Sequence, residues 1–312
     1  MEKPVMGPPI ATIDLRGEPR RLRREQRMRR LFLAAAVVSI VISISIVVSL
    51  LGNAISFFTG VDTASLLDVG WFPRRSRFDL ITPTAGTTVM SVIAMVVATP
   101  LGLGAAIYLS EYAKPRLRRM LKPILEVLAG IPSVVLGFFA LLWIGPNIVV
   151  DLLHSPKPAT ILTASIGVGI LVTPLVASVS EDALRAVPRS LREASYGLGA
   201  KKSTTVRRVV VPAALSGIVA SLILGLSRAI GETMVTFMAA GAVGGALRTW
   251  NPLDSGTTLT AAIASVATGS DQVAGEALAF DGVFALGITL FFITLGLNWL
   301  SDRFVRKVRE KY

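Results

Sequence analysis

The sequence predicts an all-α integral membrane protein with six transmembrane helices. Three observations carry the prediction. Several apolar runs reach the ~20 residues that a helix needs to cross a bilayer, and 52% of the 312 residues are hydrophobic. The polar stretches between the runs are alternately rich and poor in Lys and Arg, as the positive-inside rule requires of successive loops. Cysteine is absent and His154 is the one histidine, so disulfides, iron–sulfur clusters and a His/Cys metal centre are excluded. No cofactor is expected. The net charge of +12 sits between apolar spans, which points to membrane topology and lipid and away from nucleic acid.

Residues 1–30 hold nine Lys/Arg, including Arg20, Arg21, Arg23, Arg24, Arg27, Arg29 and Arg30. This polar, proline-bearing arm reads as a partly disordered cytoplasmic tail whose charge orients the first helix. The first span is expected over 31–52, too long for a signal-peptide core and without an evident cleavage site. An external segment, 53–85, follows. The remaining spans are expected at about 86–109, 124–146, 159–179, 213–240 and 282–300, so that 86–300 forms a transmembrane core and 301–312 a cytoplasmic tail. With the N-terminus inside, the internal segments carry 26 Lys/Arg and the external ones 5. That asymmetry puts both termini in the cytoplasm of a multi-pass plasma (inner) membrane protein.

Pro100 with Gly102 and Gly104, Pro132 after Gly130, and Pro174 after Gly167 and Gly169 interrupt the spans. They fit either ordinary close packing of helices or bent helices around a central path. The Thr/Ala/Ile stretch at 257–268, inside the external segment 246–281, fits a short interfacial helix. No internal repeat is visible.

The loop 181–212 is too long for a turn. Ser190 and Glu193 fit a capping box, in which each side chain satisfies the other residue's backbone amide. Gly199 can take the left-handed conformation that ends a helix, a second helix fits 200–209, and Pro212 opens the next span. Gly197 to Ser203 looks faintly like a phosphate-cradling loop, but the glycine–lysine spacing is wrong and no strand precedes it. A protein driven by ATP would therefore need a separate ATP-binding subunit.

Arg228 and Glu232 are charges inside the fifth span, four residues apart and hence expected on one helix face. They read either as an ion pair that hides two charges or as a site on a permeation path. In the second case the guanidinium grips a tetrahedral oxyanion, while Glu232 orients it. Glu126, near the start of the third span, is a weaker candidate for the path or the interface.

Glu193-Ala194-Ser195, Gly199, and Val209-Val210-Val211-Pro212 resemble the conserved loop of ABC-importer permeases, Glu-Ala-Ala-x-x-x-Gly-x9-Ile-x-Leu-Pro. Ser195 and the two valines are mild departures. The resemblance implies a type I ABC importer permease (MetI-like) architecture, with Glu193, Ala194, Ser195, Gly199 and Pro212 coupling to an ATPase. Arg228-x-x-Gly231-Glu232-Thr233-Met234, Ala129 to Val134, Gly86-Thr87-Thr88 and Trp71-Phe72-Pro73 are similar to the C-type permease family of phosphate-specific importers, over about residues 60–300. This implies ATP-driven phosphate import by a chain that is not itself an enzyme. Its implied partners are an A-type sister permease, two copies of an ATP-binding subunit and an external phosphate-binding protein. The alternatives are an ABC permease for another oxyanion, such as sulfate or molybdate, and an ion-coupled secondary transporter or membrane scaffold. The missing repeat speaks against the secondary transporter.

Overall fold

The computed structural model describes residues 19–62, 64–66, 69–242, 244–269 and 277–309. The chain divides into two compact units between Ser49 and Leu50. The first helix, α1 (Pro19–Gly60), runs through that boundary. It therefore begins inside the predicted arm and overshoots the expected 31–52 at both ends. Between Arg20 and Leu51 there is no glycine or proline to stop it, and the Arg/Glu/Gln/Leu composition of its start favours helix. Residues 1–18 of the predicted arm lie outside the described residues.

In the second unit a small hairpin follows α1. Strand β1 (Trp71–Phe72) pairs antiparallel with β2 (Arg77–Phe78). Trp71 also exchanges backbone hydrogen bonds with Ala246, at 2.8 and 2.9 Å. The hairpin roofs an apolar cluster of Phe57, Trp71, Phe78, Leu259, Ala262 and Leu286. Phe78 meets Phe57 and Trp71 edge-on, with ring centroids 5.4 and 5.8 Å apart.

Helix α2 (Ile81–Ile107) continues as a π-helical turn, Tyr108–Tyr112. Pro100 lies inside it without breaking it. Then comes the main departure from the predicted spans. The segment expected as one helix over 124–146 is two: α3 (Pro115–Ala129), and α4 (Ser133–Phe139) with its π-helical continuation Ala140–Val150. Gly130-Ile131-Pro132 separates them, because Pro132 has no amide to donate and pushes Ile131 out of helical geometry. The apolar span is thus Ser133–Val150, and Glu126 falls outside it on the amphipathic α3.

Helix α5 (Ile161–Ala186) starts at Thr160, whose side chain accepts from the Thr163 amide, and carries Pro174 without a break. It is the central helix, packed on α2. Gly169 permits the approach: a Cβ there would meet the Val97 Cβ at 2.8 Å. The core around it holds Met90, Ala94, Ile144, Val168, Val172 and Val235.

After α5 come α6 (Arg189–Gly197), α7 (Lys202–Thr205), a π-helical stretch Val206–Val210, α8 (Val211–Ala213) and α9 (Leu215–Ile230). The axis bends by 70° between 202–213 and 215–230. Helix α10 (Met234–Ala239) follows a second break, so the span expected over 213–240 is not continuous. Helix α11 (Leu259–Ala267) occupies the predicted 257–268 stretch, but Leu259, Thr260, Ala261 and Ala262 are buried, so it is inserted into the fold rather than interfacial. Helix α12 (Ala277–Arg309) closes the chain. Among the described residues five helices are long and apolar enough to cross a membrane, and the bent pair supplies a sixth candidate.

Candidate coupling loop and intramembrane break

The loop between α5 and α9 has the two-helix form that its sequence predicts, with one difference at its start. Helix α6 begins at Arg189 with Pro188 as its N-cap, and no side chain caps it. The expected Ser190–Glu193 capping box is not formed. The helix starts two residues too early for it, which puts Ser190 inside the first turn instead of at the extended cap position. The other end follows the expectation. Gly199 has φ of +78°, its amide donates to the Tyr196 carbonyl at 2.9 Å, and the Ala200 amide reaches back to Ser195 at 3.1 Å. These two bonds form a Schellman motif, which satisfies carbonyls that a helix end leaves open.

Ser195 then does something an alanine in its place could not. Its hydroxyl is 2.9 Å from that of Thr205, tying α6 to α7. Glu193, Ala194, Gly199 and Leu198 are exposed, Leu198 to 90%. Val210, Ala214 and Ile218 root the loop against Ala106, Leu184 and Val187. Pro212, half-buried, lies in the first turn of α8, where a missing amide costs nothing.

A frame of ion pairs braces this end of the molecule, and the sequence reading missed it. Glu181, 1% exposed near the end of α5, binds Arg118 and, at 3.0 Å, Lys122 of α3. Lys122 also meets Asp182 at 2.7 Å. The hydrogen bond to Asp182 and the charge of Glu181 hold its ammonium above the usual lysine range, although burial pulls the other way. Arg192 of α6 bonds Glu111 at 2.8 Å and the carbonyls of Leu184 and Val187 at 2.8 and 2.6 Å. The signal was present as Glu181-Asp182 at the end of an apolar run, but nothing in the sequence says which of the basic residues they meet.

The second candidate is the break between α9 and α10. Arg228 and Glu232 do not share a helix face. Helix α9 ends at Ile230, and Gly231-Glu232-Thr233 form the break. Arg228 lies in the last turn of α9 and is exposed. Glu232 is 7% exposed, and its carboxylate accepts from the amides of Met234 and Val235 at 3.2 and 3.3 Å. Each charge thus complements a helix end, the cation at a C-terminus and the carboxylate at an N-terminus. Among the described residues no ion pair joins the two. The Glu232 carbonyl accepts from Thr236 at 2.9 Å and from Thr260 of α11 at 2.8 Å. So α11 holds the break open from outside the helix, a role that no local motif foretells.

A polytopic helical protein with an exposed two-helix loop and a charged helix break has the form of a membrane permease subunit. Residues 98–310 match the binding-protein-dependent transport system inner membrane component, and the chain belongs to that family. It is 33% identical over 281 residues to the phosphate transport system permease protein PstC of Mesorhizobium japonicum, covering 84% of each chain. It is 33% identical to PstC of Haemophilus influenzae, covering 78% of this chain and 81% of that one. It is 32% identical to the probable ABC transporter permease protein YqgH of Bacillus subtilis, covering 91% and 92%. Among solved structures, a chain of the inward-facing MetNI methionine ABC transporter aligns with TM-score 0.57 at 20% identity, over 73% of this chain and 95% of that one. A chain of a bacterial ABC transporter that imports alginate aligns with TM-score 0.63 at 13% identity, over 92% and 99%. These two share the fold. The chain is a multi-pass inner-membrane component of an ABC-type importer, the class of subunit that leaves ATP hydrolysis to a partner.

Proposed function

We propose that this chain is the C-type permease subunit of an ATP-driven phosphate importer and forms half of the translocation path. The observation that carries the reading is Arg228, an exposed guanidinium at a helix break in an otherwise apolar span. Its exposure on the single chain supports a place on the face that a sister A-type permease would cover. Glu232, held by backbone amides, keeps a negative charge near it. That charge limits how tightly a phosphate can be retained, which import requires as much as capture. The names of the PstC relatives support phosphate over sulfate or molybdate.

An external phosphate-binding protein delivers the anion over the hairpin and the 244–256 loop. Two copies of an ATP-binding subunit grip Glu193, Ala194, Ser195, Gly199 and Leu198 on the cytoplasmic side, and Pro212 starts the segment that carries the motion to α9. Reconstitution with the sister permease, the ATPase and the binding protein tests this. Arg228→Ala should lower phosphate uptake about tenfold or more, the worth of one charge-assisted hydrogen-bonded contact, with ATP hydrolysis retained. Glu193→Ala should lower uptake and stimulated hydrolysis together. Uptake that survives both substitutions, or labelled sulfate that competes as well as phosphate, would sink the assignment.

A further inference from the structure

The end of the molecule that carries the coupling loop also holds a cavity of about 850 Å³, between the α2–α3 turn, α3, the last turn of α5 and α6. Arg118, Arg119, Lys122, Arg185, Arg189 and Arg192 line it. Against these six cations stand four carboxylates: Glu111 and Glu126 in the wall, and Glu181 and Asp182 behind it. The surplus is two positive charges, and the pairing shows where it lies. Arg118, Lys122 and Arg192 are engaged at 3.0 Å or closer with Glu181, Asp182 and Glu111. Arg185 reaches Glu181 only at 3.9 Å and is half-exposed. Among the described residues Arg119 donates only to the Pro115 carbonyl of its own helix, at 3.3 Å. Arg189 has no polar partner among the described residues. Arg118 also lines the cavity, with its guanidinium turned to Glu181 behind the wall.

We propose that this cavity binds a phosphate-type oxyanion, either free inorganic phosphate or the headgroup of an anionic phospholipid. Both present unesterified oxygens of a tetrahedral phosphate, a phosphodiester monoanion in the lipid and a mono- or dianion in the free ion, to Arg119, Arg185 and Arg189, and arginine forks match such oxygens bidentately. Neither apolar substrates nor cations suit a wall with this balance. The site is separate from Arg228, which lies in α9 and does not line the cavity. An anion seated here joins α3 to α6, so its occupancy bears on the element that the ATPase grips. Its position on the cytoplasmic side rests on the functional reading above; the geometry of the cavity does not.

The natural absence of cysteine allows a direct test. Ser110→Cys and Ala113→Cys each place one thiol in the cavity wall. Their alkylation by the uncharged N-ethylmaleimide is measured on the assembled transporter in lipid-stripped detergent and in nanodiscs, where both faces are accessible. Inorganic phosphate should slow the reaction severalfold relative to chloride at matched ionic strength if the free ion is the ligand. If the headgroup is, nanodiscs of phosphatidylglycerol should protect without added phosphate, and those of phosphatidylcholine should not. In either case Arg119→Gln with Arg189→Gln should remove the protection. Equal rates under all conditions would overturn the proposal. So would a thiol blocked in the assembly whatever the anion, since a partner subunit would then fill the cavity. Transport need not work for this measurement, so its failure is distinct from failure of the importer reading.

Discussion

Asp79 is buried between the hairpin and the start of α2, and it shows how a single carboxylate holds the hairpin end of the molecule together. Burial alone would raise its pKa, but hydrogen bonds from Thr82, Arg248 and the amides of Gly70 and Ile81 outweigh that and hold it below the usual carboxylate range. The Arg248 contact, 2.9 Å, clamps the loop after α10 to the hairpin. A depressed folded pKa means that the ionised form stabilises the fold. The contribution is fully present above the unfolded value of about 3.9, and it is lost as pH falls through the lower folded value. Asp79→Asn should therefore destabilise the chain at neutral pH by about 1–3 kcal/mol. The difference from wild type should shrink as pH falls from about 5 towards 3. Thermal unfolding of both proteins across that range checks it, and a gap that does not change with pH would mean that the charge is not the source. Thr82 and the Ile81 amide are local partners, but Gly70 lies 9 residues before Asp79 and Arg248 169 after it, so the clamp was invisible in the sequence.

At the scale of elements, the coupling loop was the most legible part of the chain and the helix breaks the least. Gly199 announces the end of α6 because only a residue without Cβ takes φ of +78° cheaply. The loop's spacing follows from that turn. By contrast, the apolar runs at 124–146 and 213–240 read as single spans, since hydrophobicity does not register a break of three residues. Gly130-Ile131-Pro132 and Gly231-Glu232-Thr233 look like ordinary small-residue packing until the axes are seen. For the second break the deciding partner, Thr260, is 28 residues from Glu232. The stiffness of the loop is testable through its glycines. A Cβ on Gly199 would meet nothing within 4 Å, so the cost of Gly199→Ala is conformational, about 1–2 kcal/mol. Gly197 is equally open but helical, so Gly197→Ala should be neutral or stabilising by up to about 1 kcal/mol. In the reconstituted importer, Gly199→Ala should lower phosphate transported per ATP hydrolysed, and Gly197→Ala should not. Equal ratios would show that the Schellman turn has no part in coupling.

For the whole molecule, the six-span fold follows from apolar run lengths, and the orientation from where the charge falls. The ion-pair frame and the basic cavity gather on one end with the coupling loop, whereas the hairpin, Asp79 and α11 lie with the segments poor in Lys and Arg. The positive-inside rule favours a cytoplasmic place for the first end, with 26 Lys/Arg in the segments assigned inside against 5 outside, and the labelling experiment below tests it. If the opposite were true, the coupling loop would face away from ATP, and neither Glu193 nor Gly199 could meet an ATPase. Orientation is therefore the premise on which the functional reading stands. Because the chain lacks cysteine, thiols can be placed one at a time. Lys201 follows the Gly199 turn and Asp151 lies beyond the span that ends at Val150; both are exposed. In intact cells a membrane-impermeant maleimide should label the Asp151→Cys variant and spare Lys201→Cys. Inside-out vesicles should reverse the pattern. Labelling of Lys201→Cys from outside would remove the coupling loop from the ATPase side, and the importer reading would fall with it.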